Sequence, residues 1–311
     1  MTQAWNDNLL RNPHAVADKR TRVQKMFAAI APSYDLNNRL HSLWMDQSWR
    51  KKAVKLANLT RTDRVVDVAC GTGDLSVAFA RELWSAMLED DLRRINDGSH
   101  PAVRLNPRPG QVTGIDFTFE MLPLARKKTQ QSFPYWMTTN PARSERLERK
   151  LHRKIGLHTD KTPFTDWLQR LRERAIDWIN GDAQSLPLPD QSADVVSIAF
   201  GIRNVQEPLI AMKEFFRVLR PGGRAIILEF SLPTNAILRG LYNFYFRKIL
   251  PRTATLISGD KTGAYKYLPE SVNTFIGREQ MMDMMRQAGF TQVEQFPLTF
   301  GVCVCYRGVK A

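Results

Sequence analysis

The sequence predicts an α/β fold with a doubly wound, mostly parallel sheet and an antiparallel edge. Three observations lead to this prediction. Short β-branched, apolar segments alternate with segments of helical periodicity. The first apolar segment ends in an acidic residue and a Gly-x-Gly turn that opens a helix, as in open parallel sheets. Two strands with no helix between them close the chain, and such a pair joins a sheet in antiparallel order.

The N-terminal part of the chain precedes this alternation and is predicted to be helical. Apolar residues spaced three and four apart indicate a helix from about residue 21, which Pro32 interrupts, and a second helix from Trp44 to Leu59. We therefore expect an N-terminal helical cap over residues 1–60 and the α/β domain over residues 61–311.

Within the α/β domain, strands and helices follow in a fixed order. The predicted strands are Arg64–Ala69, Val112–Ile115 closed by Asp116, Asp177–Asn180, Ala193–Ile202, Arg224–Phe230, Gln292–Phe296 and Phe300–Arg307. The predicted helices include Pro208–Leu219, which ends at Arg-Pro-Gly-Gly, and residues 278–288, which end at Gly289.

Two segments exceed what this plan needs, and we interpret them as insertions at about residues 84–111 and 129–176. The second is rich in arginine, and its apolar residues have helical spacing over Ser144–Ile155 and Thr165–Ile179. A solvated surface insertion and a contact with a partner or membrane are both open interpretations.

Composition limits the classes of protein that the chain can be. The 311 residues carry a formal net charge of +14 and three cysteines. The charge favours anionic partners such as membrane surfaces or nucleic acids, and the cysteines form no disulfide framework. The histidines show no metal-ligand spacing, so no metal site is predicted. No apolar run is long enough to span a bilayer, and we expect a cytoplasmic protein, with peripheral contact at the inner face of the membrane as an open alternative.

The turn after the first strand reads Asp67-Val68-Ala69-Cys70-Gly71-Thr72-Gly73. A dinucleotide fingerprint needs a third glycine, and Ser76 stands at that position. The remaining pattern is typical of S-adenosylmethionine (SAM) sites, with a plain strand-to-helix turn as the alternative. In the SAM interpretation, the Gly71, Thr72 and Gly73 turn approaches the methionine part of the ligand and Asp67 receives its ammonium group.

Polar residues that follow the next strands complete this interpretation. Asp116 can accept both ribose hydroxyls, or can instead cap the next helix. After the third strand, Asp182 can accept from the adenine amino group and the Ala183 N–H can donate to the ring, or the segment is an ordinary polar turn.

The turn after the fourth strand reads Gly201-Ile202-Arg203-Asn204, where amine methyltransferases carry a polar-Pro-Pro-aromatic turn. The permanent charge of Arg203 can stabilise an oxyanion on a phenol or quinol. A structural ion pair with Glu207 or Asp194 is the alternative.

Seven segments together resemble the UbiE/COQ5/MenG family of quinone C-methyltransferases. They are Phe27-x-x-Ile30-Ala31-x-x-Tyr34-Asp35-x-x-Asn38, Trp49-Arg50, Asp67-Val68-Ala69-Cys70-Gly71-Thr72-Gly73-Asp74, Gly181-Asp182-Ala183-x-x-Leu186-Pro187, Phe200-Gly201-Ile202-Arg203-Asn204 with Arg217-Val218-Leu219-x-Pro221-Gly222-Gly223, and Tyr265-x-Tyr267-Leu268-x-Glu270-Ser271. The resemblance covers residues 21–308 apart from the two insertions. It implies a Rossmann-like class I SAM-dependent methyltransferase with Thr72, Asp116, Asp182 and Ala183 as SAM contacts.

The resemblance also implies a reaction, namely methyl transfer from SAM to a ring carbon of a polyprenyl quinol. We expect Arg203 to stabilise the ring oxyanion, Asn204 to orient Arg203, and Tyr34 to line the acceptor pocket and relay a proton. Demethylmenaquinol is the favoured acceptor because Tyr267–Val272 resembles the menaquinone branch. The ubiquinone precursor, a nucleic-acid methyltransferase and a non-catalytic SAM- or quinone-binding scaffold stay as alternatives, and no nucleic-acid partner is expected.

One further segment, Ala236–Leu250, is apolar and aromatic with interspersed basic residues. This composition suits a groove for the isoprenoid tail and contact with a membrane surface. A core helix of an ordinary domain is the alternative interpretation.

Overall fold

In a computed structural model of the protein, which describes residues 4–96, 110–138 and 176–311, seven strands form one sheet in the order β3-β2-β1-β4-β5-β7-β6. The strands are β1 Val65–Val68, β2 Val112–Asp116, β3 Ile176–Asn180, β4 Ala193–Ala199, β5 Leu219–Phe230, β6 Thr291–Leu298 and β7 Cys303–Val309. Strands β1 to β5 are parallel, and β7 runs antiparallel between β5 and β6. The predicted doubly wound sheet with an antiparallel edge is confirmed.

Helices cover both faces of this sheet and build the cap. The helices are α1 Lys19–Ile30, α2 Tyr34–Ser42, α3 Met45–Ala57, α4 Asp74–Asn96, α5 Met121–Thr138, α6 Pro208–Val218, α7 Ala236–Phe244, α8 Leu250–Ser258, α9 Ala264–Asn273 and α10 Arg278–Gln287. A π-helical turn, Tyr245–Ile249, joins α7 to α8. No helix among the described residues is long and apolar enough to cross a bilayer.

The N-terminal region contains three helices where the sequence indicated two. The break after α1 falls at Pro32, as expected, but a second break falls at Leu43 and Trp44, whose φ angles are 51° and 61°. Neither residue is a glycine or proline, so the sequence carries no turn signal there. The corner turns the side chains of α2 and α3 toward the same space. The division at residue 60 stays a prediction.

Strand β4 ends earlier than predicted, and this changes the environment of the turn that follows. The prediction ran to Ile202, but the strand stops at Ala199 because Phe200 has a φ of 57° and Ile202–Asn204 form a single 3-10 turn. The predicted start of β5 at Arg224 is also wrong, since the strand begins at Leu219. The early end of β4 bends the chain so that Arg203 lies at the carboxyl edge of the sheet.

The predicted insertions lie partly outside the described part of the chain, which omits residues 97–109 of the first and 139–175 of the second. Helix α4 continues through Asn96 into the first, and helix α5 continues through Thr138 into the second. The predicted helix Ser144–Ile155 lies outside the described residues. The helical spacing over Thr165–Ile179 is misleading at its end, because Ile176 starts strand β3.

Among the residues that the structure describes, three apolar clusters form the core. Two of them lie on opposite faces of the sheet. Successive residues of a central strand point to alternate faces, so in β1 Val66 belongs to one cluster and Val65 to the other. The third lies between the cap and helices α7 to α9, and includes Met26, Ile30 and Tyr267. This third cluster surrounds an internal cavity, so the packing that fixes the cap also forms the walls of a binding space.

Candidate active site

The loops after β1, β2, β3 and β4 meet around a cleft at the carboxyl edge of the sheet, where the strand order reverses between β1 and β4. Open α/β sheets bind ligands at this switch point because diverging loops leave a crevice there. We call this cleft the sheet-edge cavity. Its lining includes Gly71, Asp116, Phe117, Thr118, Asp182, Ala183, Phe200 and Asn204, with Arg20 from helix α1.

The two glycines of the first loop, Gly71 and Gly73, have different structural roles. Gly71 lines the sheet-edge cavity with a φ of 55°, and a Cβ there would meet only the Tyr34 ring, at 3.9 Å. Gly73 has a φ of 82°, and a Cβ there would lie 2.5 Å from the Trp178 side chain. Gly71 therefore leaves space for a ligand, whereas Gly73 is required by the packing of β3. The predicted ligand contact of Gly73 stays a prediction and is not supported by its position.

Thr72, between these glycines, is tied to the cap. Its hydroxyl donates to Asp35 Oδ1 of helix α2 at 2.6 Å and accepts from Lys128 Nζ at 2.9 Å. Lys128 also pairs with Asp35 and Asp74, each at 2.6 Å. Burial opposes ionisation of Asp74, but the charges of Lys128, Arg50 and Arg39 outweigh it and lower the pKa of Asp74 to about 2. The Thr72 side chain therefore fastens the cap to the loop and does not line the cavity.

Asp67 at the end of β1 is 1% exposed and lies behind the cavity lining. Its carboxylate accepts from Ser76 Oγ at 2.6 Å and from Ser197 Oγ at 2.7 Å. Burial raises the pKa of Asp67 to about 6 against these hydrogen bonds. The carboxylate joins β1, β4 and α4, and a contact with the ligand ammonium stays a prediction.

Asp116 at the end of β2 faces the sheet-edge cavity. One carboxylate oxygen accepts from the Gly71 N–H and the other from the Thr118 N–H, both at 2.7 Å. The Thr118 hydroxyl is a third partner of this carboxylate, and since a carboxylate accepts about four hydrogen bonds, capacity remains for a ligand hydroxyl. Burial raises the pKa of Asp116 to about 6. Helix α5 begins only at Met121, so Asp116 closes a turn and does not cap the helix.

Asp182 and Ala183 line the same cavity after β3. Asp182 Oδ1 accepts from the Gln184 N–H at 2.9 Å, which closes a local turn, and Oδ2 pairs with Arg20 Nη2 at 2.8 Å. The Arg20 guanidinium also lies 4.4 Å from the centre of the Phe117 ring. The polar turn given as the alternative is therefore present, the ligand contact of Asp182 stays a prediction, and Arg20 lines the cavity beside this carboxylate.

A second cavity, of about 330 Å³, lies between the cap, the end of β4 and helices α7 to α9. We call it the aromatic cavity. Its aromatic lining residues are Phe27, Tyr34, Trp49, Phe200, Phe230, Tyr242, Tyr245, Phe246, Tyr265 and Tyr267, and its charged ones include Arg50 and Arg203. Phe27, Tyr34 and Phe200 line both cavities. A ligand in the sheet-edge cavity and one in the aromatic cavity can therefore meet at these side chains.

Arg203 is buried in the aromatic cavity and pairs with a partner that the sequence did not suggest. Its Nη1 donates to Glu229 Oε1 at 2.6 Å and to the Phe200 carbonyl at 2.7 Å, and its Nε donates to Ser271 Oγ at 3.3 Å. The expected structural partners were wrong, because Asp194 pairs with Arg220 and Glu229 takes this place. Within the described residues, Nη2 has no hydrogen bond, so it can donate to a bound acceptor.

Asn204 lies beside Arg203 and faces the sheet-edge cavity. Its Nδ2 donates to the Phe200 carbonyl at 3.2 Å, and its Oδ1 accepts from Tyr267 OH at 2.9 Å. No hydrogen bond joins Asn204 to Arg203 in the described structure, and the orienting role of Asn204 stays a prediction. The two side chains instead hold the same Phe200 carbonyl, and Asn204 extends this network to Tyr267.

Tyr34 begins helix α2 and stands between the two cavities. Its ring packs edge-on against Phe27, with ring centres 5.9 Å apart. Burial raises the pKa of Tyr34, which the neighbouring Asn38, Arg50 and Arg203 only partly offset. The phenol therefore keeps its proton at neutral pH and can pass it on through a hydrogen bond.

Some residues of the site were missed by sequence reasoning. Glu229 stands in the otherwise apolar segment Ala225–Phe230, and a charged residue in a central strand is a signal for a buried pair. Neither Asp35 nor Lys128 stands in an apolar strand, and polar residues are common on helices, so their sequence context gave no comparable signal. Their proximity to Thr72 is a result of the cap docking.

The fold, the glycine turn and the carboxylates at the ends of β2 and β3 define a class I SAM-dependent methyltransferase. The residues present fit SAM, since Asp116 offers free lone pairs for ribose hydroxyls and Asp182 for an amino group at the same cavity. Comparison with known proteins leads to the same class. A profile described as the ubiE/COQ5 methyltransferase family matches residues 15–150 and 166–310, so the chain belongs to this family and uses SAM as methyl donor.

Individual relatives cover nearly the whole chain. It is 34% identical to the ubiquinone/menaquinone biosynthesis C-methyltransferase UbiE of Geobacter sp. strain M21, over 96% of this chain and 100% of that protein. It is 35% identical to the demethylmenaquinone methyltransferase of Deinococcus radiodurans, over 94% of each chain. Among solved structures, a SAM-dependent methyltransferase of Thermotoga maritima, titled a possible histamine N-methyltransferase, shares the fold with a TM-score of 0.50 and 18% identity, over 93% of this chain and 100% of that one.

Proposed function

We propose that this methyltransferase acts on a ring carbon of a reduced polyprenyl quinone, with demethylmenaquinol as its acceptor. The observation that carries the proposal is the aromatic cavity, which holds the buried Arg203 and meets the sheet-edge cavity at Tyr34 and Phe200. Aromatic walls suit a flat ring, and a buried guanidinium suits an oxygen that becomes negative. The names of the relatives in Geobacter and Deinococcus support the same chemistry.

The residues of the aromatic cavity can activate the acceptor ring. Carbon is a weak nucleophile, and ionising a ring hydroxyl moves electron density onto the neighbouring carbon. Arg203 is placed to stabilise this oxyanion because its Nη2 is unused while Nη1 and Nε are held by Glu229 and Ser271. These bonds fix the guanidinium before the ring enters, so little reorganisation accompanies the reaction. SAM supplies a methyl group bound to a positively charged sulfur.

Tyr34 and Asn204 have supporting roles in this proposal. Because its pKa is raised, Tyr34 stays a protonated phenol, which accepts the proton of the ring hydroxyl only as it gives up its own proton to water, and so relays it. Asn204 holds the Phe200 carbonyl beside Arg203 and so keeps the turn rigid. Tyr34 lines both cavities and Asn204 lines the sheet-edge cavity, so both are near the place where carbon and methyl group must approach each other.

We assign a role to each face of the segment Ala236–Leu250, and both roles concern the isoprenoid tail of the acceptor. Tyr242, Phe246 and Leu250 point inward and line the aromatic cavity. The opposite faces of α7, the π-helical turn and α8 are apolar and exposed, at Ile237, Leu241, Phe244, Ile249, Leu256 and Ile257. The simple core-helix interpretation is therefore incomplete.

We propose that this outer surface rests on an anionic membrane, which keeps the tail in lipid while the ring enters the cavity. Exposed basic residues flank the apolar face, namely Arg239, Arg247, Lys248 and Arg252. Leu43, which lines the cavity at the cap corner, is itself 74% exposed. Basic residues beside apolar ones are the pattern of helices that lie in a membrane interface.

Liposome flotation tests the membrane contact. The wild-type chain should float with vesicles that contain anionic lipid, and Phe244→Glu should reduce binding because it places a charge in the apolar face. Ile210→Glu is the matched control, since Ile210 is 48% exposed on α6, outside this surface. Absence of binding to vesicles with or without anionic lipid would remove the membrane contact from the proposal.

Transfer of labelled methyl from SAM tests the reaction itself. The protein is given reduced demethylmenaquinone and, in parallel, the reduced demethylated precursor of ubiquinone. Label on the naphthoquinol alone supports a menaquinone enzyme, label on both supports one enzyme for two pathways, and label on the benzoquinol alone moves the proposal to ubiquinone. SAM binding without either product would favour the scaffold or the nucleic-acid alternative. Arg203→Ala should lower kcat far more than SAM affinity.

A further inference from the structure

The aromatic cavity contains a second buried arginine, Arg50, which has no role in the reaction proposed above. Arg50 lies on helix α3 and is 8% exposed. Its Nη1 donates to Asp46 Oδ2 at 2.6 Å and to the Asp46 carbonyl at 3.3 Å, one helical turn earlier. The side chain is thereby held in one orientation while it lines the cavity wall.

Arg50 has more donors than the surrounding residues can satisfy. Its Nε is buried and has no hydrogen-bond partner in the described structure. Its Nη2 likewise makes no hydrogen bond to any residue described here, so both bonds of the guanidinium come from Nη1. Unpaired buried donors lower stability, and each one in a native structure calls for a partner. Because the group borders a cavity, an acceptor atom of a ligand can supply that partner.

Arg50 and Arg203 are placed alike around one pair of rings. The Phe200 and Phe230 ring centres lie 4.6 Å apart, with the Arg50 guanidinium 5.4 Å from the first ring and the Arg203 guanidinium 5.3 Å from the second. Each arginine is neutralised by one carboxylate, Asp46 or Glu229. Both positive charges act on Tyr34, where the two cavities meet.

We propose that Arg50 donates to the second ring oxygen of the acceptor, the one that Arg203 does not hold. The inference rests on the proposed function and deepens it, because it defines the substrate class as rings that carry two oxygens. Arg203 stabilises the oxygen that ionises, while Arg50 positions the ring and is a specificity residue. A ring with a single hydroxyl leaves the Arg50 donors unpaired and therefore binds poorly, which is how buried polar groups reject an analogue that lacks one oxygen.

Pairs of acceptors and variants test this assignment. The first acceptor is a reduced demethylated naphthoquinone with one isoprene unit. The second is the same compound with the hydroxyl assigned to Arg50, the one that does not ionise, replaced by hydrogen. Wild-type kcat/KM should be about tenfold to a hundredfold higher for the dihydroxy compound, as expected for a buried hydrogen bond to a charged group. Arg50→Gln should remove most of this difference, mainly through KM of the dihydroxy compound, and leave the monohydroxy compound within about twofold. Lys51→Gln, the neighbouring exposed position on α3, is the matched control for charge loss.

The outcomes separate the inference from the proposed function. No turnover of the dihydroxy compound by the wild-type chain would contradict the proposed function. Turnover with equal losses for both acceptors in Arg50→Gln would overturn the role of Arg50 alone. Arg50→Lys provides a second variant if Arg50→Gln does not fold, because it keeps a positive charge beside Asp46 but has no Nε or second Nη donor. It should also lose most of the preference for two hydroxyls, an unchanged preference would overturn the role of Arg50, and loss of SAM affinity in either variant would indicate a structural role only.

Discussion

Arg203 Nη1 lies 2.6 Å from Glu229 Oε1, and the two side chains are only 5% and 2% exposed. The pair joins the turn after β4 to the end of β5, and Glu229 also accepts from the backbone N–H groups of Arg203 and Phe230. A carboxylate in this position holds the arginine still but also offsets its charge. Arg203 is therefore a rigid donor within an ion pair, and not an isolated cation.

Removing the charge of Glu229 should destabilise the fold. Glu229→Gln leaves the Arg203 guanidinium buried without its counter-charge, and we expect the free energy of unfolding to fall by about 3 kcal/mol. Urea unfolding measures this change. The matched control is Glu294→Gln, whose side chain is 55% exposed and pairs with Arg307, and it should change stability by less than about 1 kcal/mol. Equal effects of the two variants would show that burial does not strengthen the first pair.

The two glycines of the first loop should give different phenotypes. Gly73→Ala places a methyl group against Trp178 at a positive φ, so the free energy of unfolding should fall by about 3 kcal/mol. Gly71→Ala meets only the Tyr34 ring and should cost about 1 kcal/mol. Because its methyl group enters the sheet-edge cavity, SAM affinity should fall at least about tenfold. Thermal unfolding and calorimetric titration with SAM measure the two effects, and an unchanged SAM affinity in Gly71→Ala would exclude this loop from the SAM site.

SAM binding should weaken as the pH falls through about 6. The pKa of Asp116 is raised to about 6 by burial, and its ionised form is the better acceptor for ribose hydroxyls. The free protein therefore takes up a proton below this pH, and SAM must displace it, which lowers affinity by up to about tenfold per pH unit. Titration calorimetry between pH 5 and pH 7 checks the slope.

Two variants identify the group behind that slope, since the pKa of Asp67 is also raised to about 6. Asp116→Asn should bind SAM more weakly at pH 7 and show little dependence on pH. Asp67→Asn should keep the dependence, because Asp67 lies behind the cavity lining. The opposite pattern would assign the titration to Asp67.

The cap should compete with SAM through Arg20. Arg20 pairs with Asp182 at 2.8 Å and covers Phe117, so an adenine amino group that binds Asp182, as predicted, competes with Arg20 for this carboxylate. A half-exposed pair is worth at most about 1 kcal/mol, and Arg20→Ala should therefore raise SAM affinity by about threefold. Arg22→Ala, which removes a pair with Asp18 on the same helix, should leave affinity unchanged. Weaker SAM binding in Arg20→Ala would instead make Arg20 part of the SAM site.

Several features could be predicted because they are encoded locally. Apolar runs such as Val65–Val68 and the glycine turn after them indicate strand and loop from neighbouring residues alone, and the parallel order follows from the alternation with helices. Asp116 and Asp182 could be named because each follows its strand directly, and parallel strands bring their carboxyl ends to one edge.

By itself, the sequence determined the sheet, the carboxylates at its edge and the family of the protein. Only the tertiary structure decided that Gly71 faces a cavity while Gly73 packs against Trp178, and that Arg203 pairs with Glu229. Such contacts join residues far apart in the chain, and no local pattern records the distance between them. The aromatic cavity itself exists only once the cap docks, because its walls come from six separate parts of the chain, residues 26–50, 200–203, 230, 242–250, 264–268 and 302.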